Sequence, residues 1–300
     1  LRADPGRAGW RAWQPARRGR RSFSARTTGP RLSDASSSPP SANPAARADL
    51  EIVVADDGSR PETAAVVERV LRPGPVPWCH VRQEDTGFRQ SRVRNLGVRH
   101  SRAPWLIFVD HDVLLHPEFV ADHLALAREG TVLVGKRCFL PPDRSGGLIE
   151  RGLGEGASWW PAPWLPGLEN RKNAVRWPVL GRRLARPRAF QTALRGCNLS
   201  VSRADFLRVD GFDEAYDGVW GREDSDFCYR LFHTGVVARN LWFLGLQAHL
   251  HHPQRKRQGR DHLDDELDRV RAERRTRAKL GFSRMDAEGG IVAASDGFGG

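Results

Sequence analysis

The chain has 300 residues, 39% of them hydrophobic, which is ample for a buried core, and carries a formal charge of +12. That charge sits at the ends: residues 1–47 contribute +8 and residues 255–284 contribute +5, while the middle is nearly neutral, so no nucleic-acid partner is expected. Four scattered cysteines, Cys79, Cys138, Cys197 and Cys228, show neither C-x-x-C spacing nor disulfide-scaffold density and suit a reduced, cytoplasmic setting. No apolar run nears the roughly 20 residues of a membrane span, so at most peripheral membrane association is expected.

Residues 1–48, rich in Arg, Ser, Pro and Ala without apolar periodicity, are expected to form a disordered basic tail. Leu50–Ala55 then reads as a strand stopped by the Asp56-Asp57-Gly58-Ser59 turn, with Pro61 opening a helix through Leu71. Trp78–Val81 is a second strand, Gln90–His100 a helix, and Trp105–Val109 a buried strand stopped by Asp110-His111-Asp112. Pro117–Arg128 reads as a helix and Thr131–Lys136 as a strand. This alternation implies an α/β fold.

Residues 140–190 break the rhythm with Gly, Pro and several tryptophans, including Trp159, Trp160, Trp164 and Trp177; a long irregular insert of this kind is expected to be a lid. Leu194–Val201 returns to strand character, Arg203–Val209 is a short helix and Glu223–His233 a longer one. Asp261–Leu280 reads as a charged peripheral helix within 256–284, and residues 285–300 as a loose tail. Arginine outnumbers lysine 44 to 4, which suggests a GC-rich bacterial source.

In an open α/β sheet ligands sit beyond the carboxyl ends of the strands, so the acids there are candidates for function. Asp56-Asp57 also suits plain turn chemistry. Asp110 and Asp112, directly after the most apolar strand, need a compensating cation, and a divalent metal supplies one while also holding phosphate oxygens. His249, His251 and His252 can add imidazole, which favours Mn²⁺ over Mg²⁺; zinc held by three histidines and an aspartate is the competing site. Asp210, Asp213, Glu214, Glu223, Asp224 and Asp226 exceed what helix capping requires, and one of them is expected to serve as a general base.

Asp56-Asp57-Gly58-Ser59, Arg94-Asn95-Leu96-Gly97, Asp110-His111-Asp112 and the block from Gly196-Cys197-Asn198-Leu199-Ser200 to Glu223-Asp224 together resemble a family 2 glycosyltransferase. The later block is similar to the C-terminal domain of family 7 galactosyltransferases, and the resemblance covers about residues 49–255. It implies the GT-A nucleotide-diphospho-sugar transferase fold, a mixed, mostly parallel sheet flanked by helices. It also implies inverting transfer of a sugar, expected from UDP, to a glycan or small-molecule acceptor with Mn²⁺ or Mg²⁺. By matching position, Asp57 would contact the nucleoside, with Arg94 and Asn95 beside it. Asp110 and Asp112 would form the metal and diphosphate motif, and His249 or His252 would complete it. Asp224 would be the base with Glu223 its acidic partner, and Trp220 and Gly221 would shape the donor-sugar pocket. Such proteins begin with a hydrophobic strand and a Pro-x-Tyr-Asn-like turn, which residues 1–47 do not match; the first strand is therefore expected to be missing, as a displaced gene start or reading frame would leave it. A catalytically inactive relative that binds sugar nucleotide or glycan is the alternative.

Overall fold

The structure, a computed structural model, describes residues 22–25, 50–151, 160–189, 196–253, 261–286, 288–296 and 298. In chain order the main elements are β1 (Ser22–Ala25), β2 (Ile52–Asp57), α1 (Glu62–Leu71), β3 (Trp78–Gln83), α2 (Gln90–Arg99), β4 (Trp105–Asp110), β5 (Val113–Leu115), α3 (Phe119–Leu124), β6 (Thr131–Val134) and β7 (Arg137–Phe139). There follow α4 (Pro142–Arg151), α5 (Pro178–Leu184), β8 (Asn198–Ser202), α6 (Arg203–Arg208), α7 (Glu223–His233), β9 (Val237–Asn240), β10 (Gln247–His249), α8 (His262–Ala272) and β11 (Gly290–Ala294).

The main sheet has the order β11-β3-β2-β1-β4-β8-β6-β9. Period-2 geometry sends alternate side chains of its central strands to opposite layers. Ile52 and Val54 join Trp105, Ile107 and Val109 in one buried cluster. Val53 and Ala55 face α2 through Val93 and Leu96, and Leu106 and Phe108 face Phe206, Phe212 and Phe227. Each fully buried side chain of this kind contributes about 1.5–3 kcal/mol, which adds to the strand preference of the Ile, Val, Trp and Phe in these segments.

The α/β class with a mixed sheet flanked by helices is as expected, but the sheet is not mostly parallel. Only β2·β3 and β6·β9 are parallel among its described pairings; β11·β3, β1·β2, β1·β4, β4·β8 and β6·β8 are antiparallel. The slot for the first strand, expected to be missing, is filled by β1, which pairs antiparallel with both β2 and β4. The remainder of the expected basic tail lies outside the described residues.

Two further expectations change. In the presumed loose tail, β11 pairs with the free edge of β3. The segment before it is pinned to α2 by Arg89–Glu288 and Arg92–Asp286 ion pairs and by Met285 in the core. Its Gly and Ala content concealed an edge strand held by its pairing with β3 and by Ala293 packed against the core. The charged helix shortens to α8, capped by Asp261 and Asp264. Leu263, Leu267 and Val270 give it one buried stripe, and it packs on α7.

A second, three-stranded sheet, order β5-β10-β7, has no counterpart in the sequence reading. Alternation gives it two unlike faces. Leu114, Cys138 and Ala248 pack into a cluster with Leu140, Leu168 and Ala174 from the 140–190 insert, so part of that insert is structural packing. Arg137, Phe139, Gln247 and His249 share the other face by register.

Candidate active site

The two carboxylates of the turn after β2 are bonded from within. Asp56 accepts from the Ser59 N–H at 2.8 Å and meets His80 Nε2 at 3.0 Å; burial pushes its carboxyl up, but these bonds outweigh it and the net shift is down. Asp57, expected at the nucleoside, is 1% exposed. It accepts from Gln83 Nε2 at 2.7 Å and from the Arg89 N–H at 2.8 Å, and burial pushes its carboxyl up. Asn95 is likewise enclosed: its amide exchanges two 2.9 Å hydrogen bonds with the Phe212 backbone, tying α2 to the 210–212 turn.

Arg94, on the same helix, faces the opposite end of the site. Its buried guanidinium bonds Asp224 Oδ1 at 2.7 Å and lies 3.6 Å from Glu223 and 3.7 Å from Asp110. Burial disfavours its charge, yet the three carboxylates outweigh burial and raise its pKa. The other Asp224 oxygen accepts from the Gly196 N–H at 2.7 Å. A Cβ on Gly196 would collide with both Asp224 and Arg94, so glycine there follows from the close approach. Gly196 stood in a motif without a role, and its backbone donor was not legible from sequence.

Glu223 and Asp224 open α7, whose entry carries left-handed backbone at Gly221 (φ 108°) and Arg222 (φ 78°). Trp220 and Gly221 lie half-buried in that entry. The helix turn points the two acids differently: Glu223 is buried, whereas the Asp224 side chain is 23% exposed. Glu223 Oε2 has no hydrogen-bond partner among the described residues. Burial first, then the neighbouring Asp224, push its carboxyl up to about 8.

The turn after β4 contrasts with that after β2. Asp110 is pushed up by burial against the pull of Arg94, and Oδ1 of both Asp110 and Asp112 is buried without a hydrogen bond. Pairing of β5 with β10 sets Val113 opposite His249, and the Leu250 N–H bonds the Asp112 carbonyl at 2.9 Å. Asp112 Oδ1 thus lies 3.5 Å from His249 Nε2, and Oδ2 lies 3.1 Å from His252 Nε2. The ligand atoms of Asp112, His249 and His252 fall within 4.8 Å of one another. Both expected histidines converge here, not one of them.

The ring nitrogens decide what the triad fits. His249 Nδ1 lies 2.7 Å from the Leu250 carbonyl and His252 Nδ1 3.0 Å from the Pro253 carbonyl. A carbonyl only accepts, so each Nδ1 carries a proton, and Nε2, which faces Asp112, is a lone pair whenever the ring is neutral and a donor to the carboxylate when it is protonated. Burial pushes the His249 imidazole down, favouring that neutral form. Burial pushes Asp112 up, but His252 and His249 outweigh it and its carboxyl is held well below the usual range. A carboxylate and two imidazoles converging within 4.8 Å, each ring oriented by a backbone carbonyl, are a donor set that suits a divalent metal.

Fold and site together define an α/β domain with a carboxylate–imidazole triad beside a buried arginine–carboxylate cluster. Residues 42–173 match the Glycosyl transferase family 2 profile, and residues 178–253 match the one described as the N-terminal domain of galactosyltransferase. The chain thus carries a glycosyltransferase family 2 region at 42–173 and a galactosyltransferase-type segment after it. It is 36% identical over 216 residues to validoxylamine A glucosyltransferase of Streptomyces hygroscopicus subsp. jinggangensis, covering 67% of this chain and 48% of the relative. It is 27% identical over 206 residues to chondroitin synthase of Escherichia coli, covering 64% of this chain and 29% of that one. The chain thus spans about half the length of the first of these relatives and less of the second. Against the crystal structure of S. aureus TarS 1-349 in complex with UDP-GlcNAc the TM-score is 0.45 at 16% identity, over 80% of this chain and 61% of that one. No helix among the described residues is long and apolar enough to cross a membrane.

Proposed function

We propose that this chain transfers a sugar from a nucleoside-diphosphate donor, with UDP as the nucleotide, to an acceptor hydroxyl on a glycan or small molecule, with inversion and with Mn²⁺ or Mg²⁺ bound. The observation that carries this reading is the convergence of Asp112, His249 and His252 on one point beside Asp110 and the Arg94–Asp224 pair. Relatives named for glucosyl transfer to validoxylamine A and for chondroitin synthesis support sugar transfer as the reaction class.

In this reading Asp112, His249 and His252 hold the metal, with Asp110 adjacent. When bound, the metal neutralises charge that grows on the leaving diphosphate. Asp224, the more exposed of the two α7 acids, takes the proton from the acceptor hydroxyl as that oxygen attacks the anomeric carbon. Arg94 and the Gly196 N–H hold its carboxylate in place, each leaving lone pairs for the acceptor. Glu223, protonated near neutral pH, donates a hydrogen bond on the acceptor side. Trp220 and Gly221 bound the donor sugar, Asp57 acts by holding the nucleotide-side loop in shape, and Asn95 acts by tying α2 to the 210–212 turn. A reduced cytoplasmic compartment, where nucleotide sugars are made, fits four buried free thiols.

Calorimetric titration of UDP with and without Mn²⁺ tests the reading. The parent is expected to bind UDP in a Mn²⁺-dependent way, and Asp112→Ala to lose that dependence together with turnover of UDP-sugar. Equal binding by parent and Asp112→Ala would overturn the metal assignment. A parent that binds UDP-sugar and never turns it over across an acceptor library would select the non-catalytic, sugar-nucleotide-binding alternative.

A further inference from the structure

The polar face of the three-stranded sheet holds a cation, Arg137, with no ion-pair partner within 4.0 Å among the described residues. Arg137 stands directly across from Gln247 in register and two residues from Phe139, which stands across from His249. Its guanidinium stacks on Phe139 at 5.0 Å, the Phe139 ring lies 5.2 Å from His249, and His249 lies 5.0 Å from His252. One continuous row therefore runs from Arg137 to the metal triad. At its other end Arg137 Nη1 donates to Cys197 Sγ at 2.9 Å, one residue from the Gly196 N–H that holds Asp224. The guanidinium thus lies between the triad and the base.

Its bonding is incomplete. A thiol is a weak acceptor, Arg137 Nε is buried without a partner, and no carboxylate lies within 4.0 Å among the described residues. Gln247, 0% exposed, leaves both its amide nitrogen and oxygen without partners beside it. A half-buried guanidinium with donors to spare and no counter-ion is costly unless an anion completes it, and its planar fork matches phosphate oxygens.

We propose that Arg137 is a donor-binding residue that takes the phosphate oxygens of the nucleoside diphosphate. The inference rests on the donor-binding reading above and adds the residue that recognises the diphosphate besides the metal. Arg137→Met keeps the length and the stacking on Phe139 but removes the donors, and Arg137→Lys keeps the charge without the fork.

The test titrates UDP, uridine and inorganic pyrophosphate, each with Mn²⁺, into the parent and both variants, and follows thermal melting alongside. Arg137→Met is expected to weaken UDP and pyrophosphate by about 10- to 100-fold, the size of one charge-assisted pair. Uridine binding and melting should stay at parent values, and Arg137→Lys should recover part of the loss. Unchanged UDP affinity in Arg137→Met overturns the inference and leaves the transferase reading standing. An equal loss for uridine also overturns it, since a collapsed pocket and not a missing phosphate contact would explain that result. Arginine-dependent pyrophosphate binding by a parent that ignores UDP supports Arg137 as a diphosphate site and removes the nucleotide-sugar reading.

Discussion

The turns after β2 and β4 look alike in sequence, each an apolar strand ending in two acids, but they differ in what their carboxylates bond. Asp56 and Asp57 close on Ser59, His80, Gln83 and Arg89. Asp110 and Asp112 each keep an oxygen buried without a hydrogen bond, and Asp112 faces two imidazoles. A carboxylate with both oxygens already bonded holds the fold together, whereas one left open beside two imidazoles is available to a ligand. The same division separates Asn95, bonded twice to Phe212, from Glu223, whose Oε2 has no partner. The open half of the site is thus the half expected to carry chemistry.

The division is tested most severely by removing a proton acceptor from the open half without changing its shape. Asp224→Asn retains an oxygen and a similar volume but cannot take a proton at neutral pH. Transfer, or slow donor hydrolysis, is expected to fall about 10²–10⁴-fold while UDP affinity persists. Turnover equal to the parent would exclude Asp224 as the base and move attention to Glu223.

Much of this site was legible because its chemistry lies in side chains at strand and helix ends. Asp110 and Asp112 end an apolar strand and Glu223 and Asp224 open a periodic helix, so their places at element ends could be read from the pattern. Arg137 escaped because it begins a three-residue strand, too short for periodicity to register, and because its meaning comes from β10, far along the chain. Gly196 escaped because its donor is backbone. The role of Asn95 was read from its motif, yet its partners are the backbone atoms of Phe212, which no spacing announces. The same limit explains β1 and β11, whose places depend on hydrogen-bonding edges supplied by distant strands.

A gentler test of the open half uses pH. Glu223 holds its proton up to about pH 8 in the folded chain, mainly because it is buried, against an ordinary value of 4.5. The folded state therefore binds more protons than the unfolded one across that window. Stability from this group is complete below about pH 4.5 and is lost as the pH rises toward 8, with a slope of at most about 1.4 kcal/mol per pH unit. Glu223→Gln removes the titration, so urea unfolding of parent and variant should diverge with that sign between pH 5 and 8. Parallel pH profiles would show that Glu223 is ionised in the folded chain and cannot donate to an acceptor.

The closed half predicts the smallest effect and the opposite kind. Asn95→Ala leaves the Phe212 N–H and carbonyl without the two partners they now have at 2.9 Å. Buried groups stripped in this way cost about 1–3 kcal/mol, which should appear as a lower urea midpoint with an unchanged slope. Asn95→Asp keeps the acceptor for the Phe212 N–H but loses the donor and sets a charge near Glu214 Oε1, now 3.3 Å from the amide. It should therefore destabilise too, more at pH 8 than at pH 5. Neither change touches the open half, so UDP affinity with Mn²⁺, measured where each variant is fully folded, should stay within about threefold of the parent, under 0.7 kcal/mol. A tenfold loss of UDP affinity at unchanged stability would place Asn95 against the nucleotide and erase the distinction between the two halves.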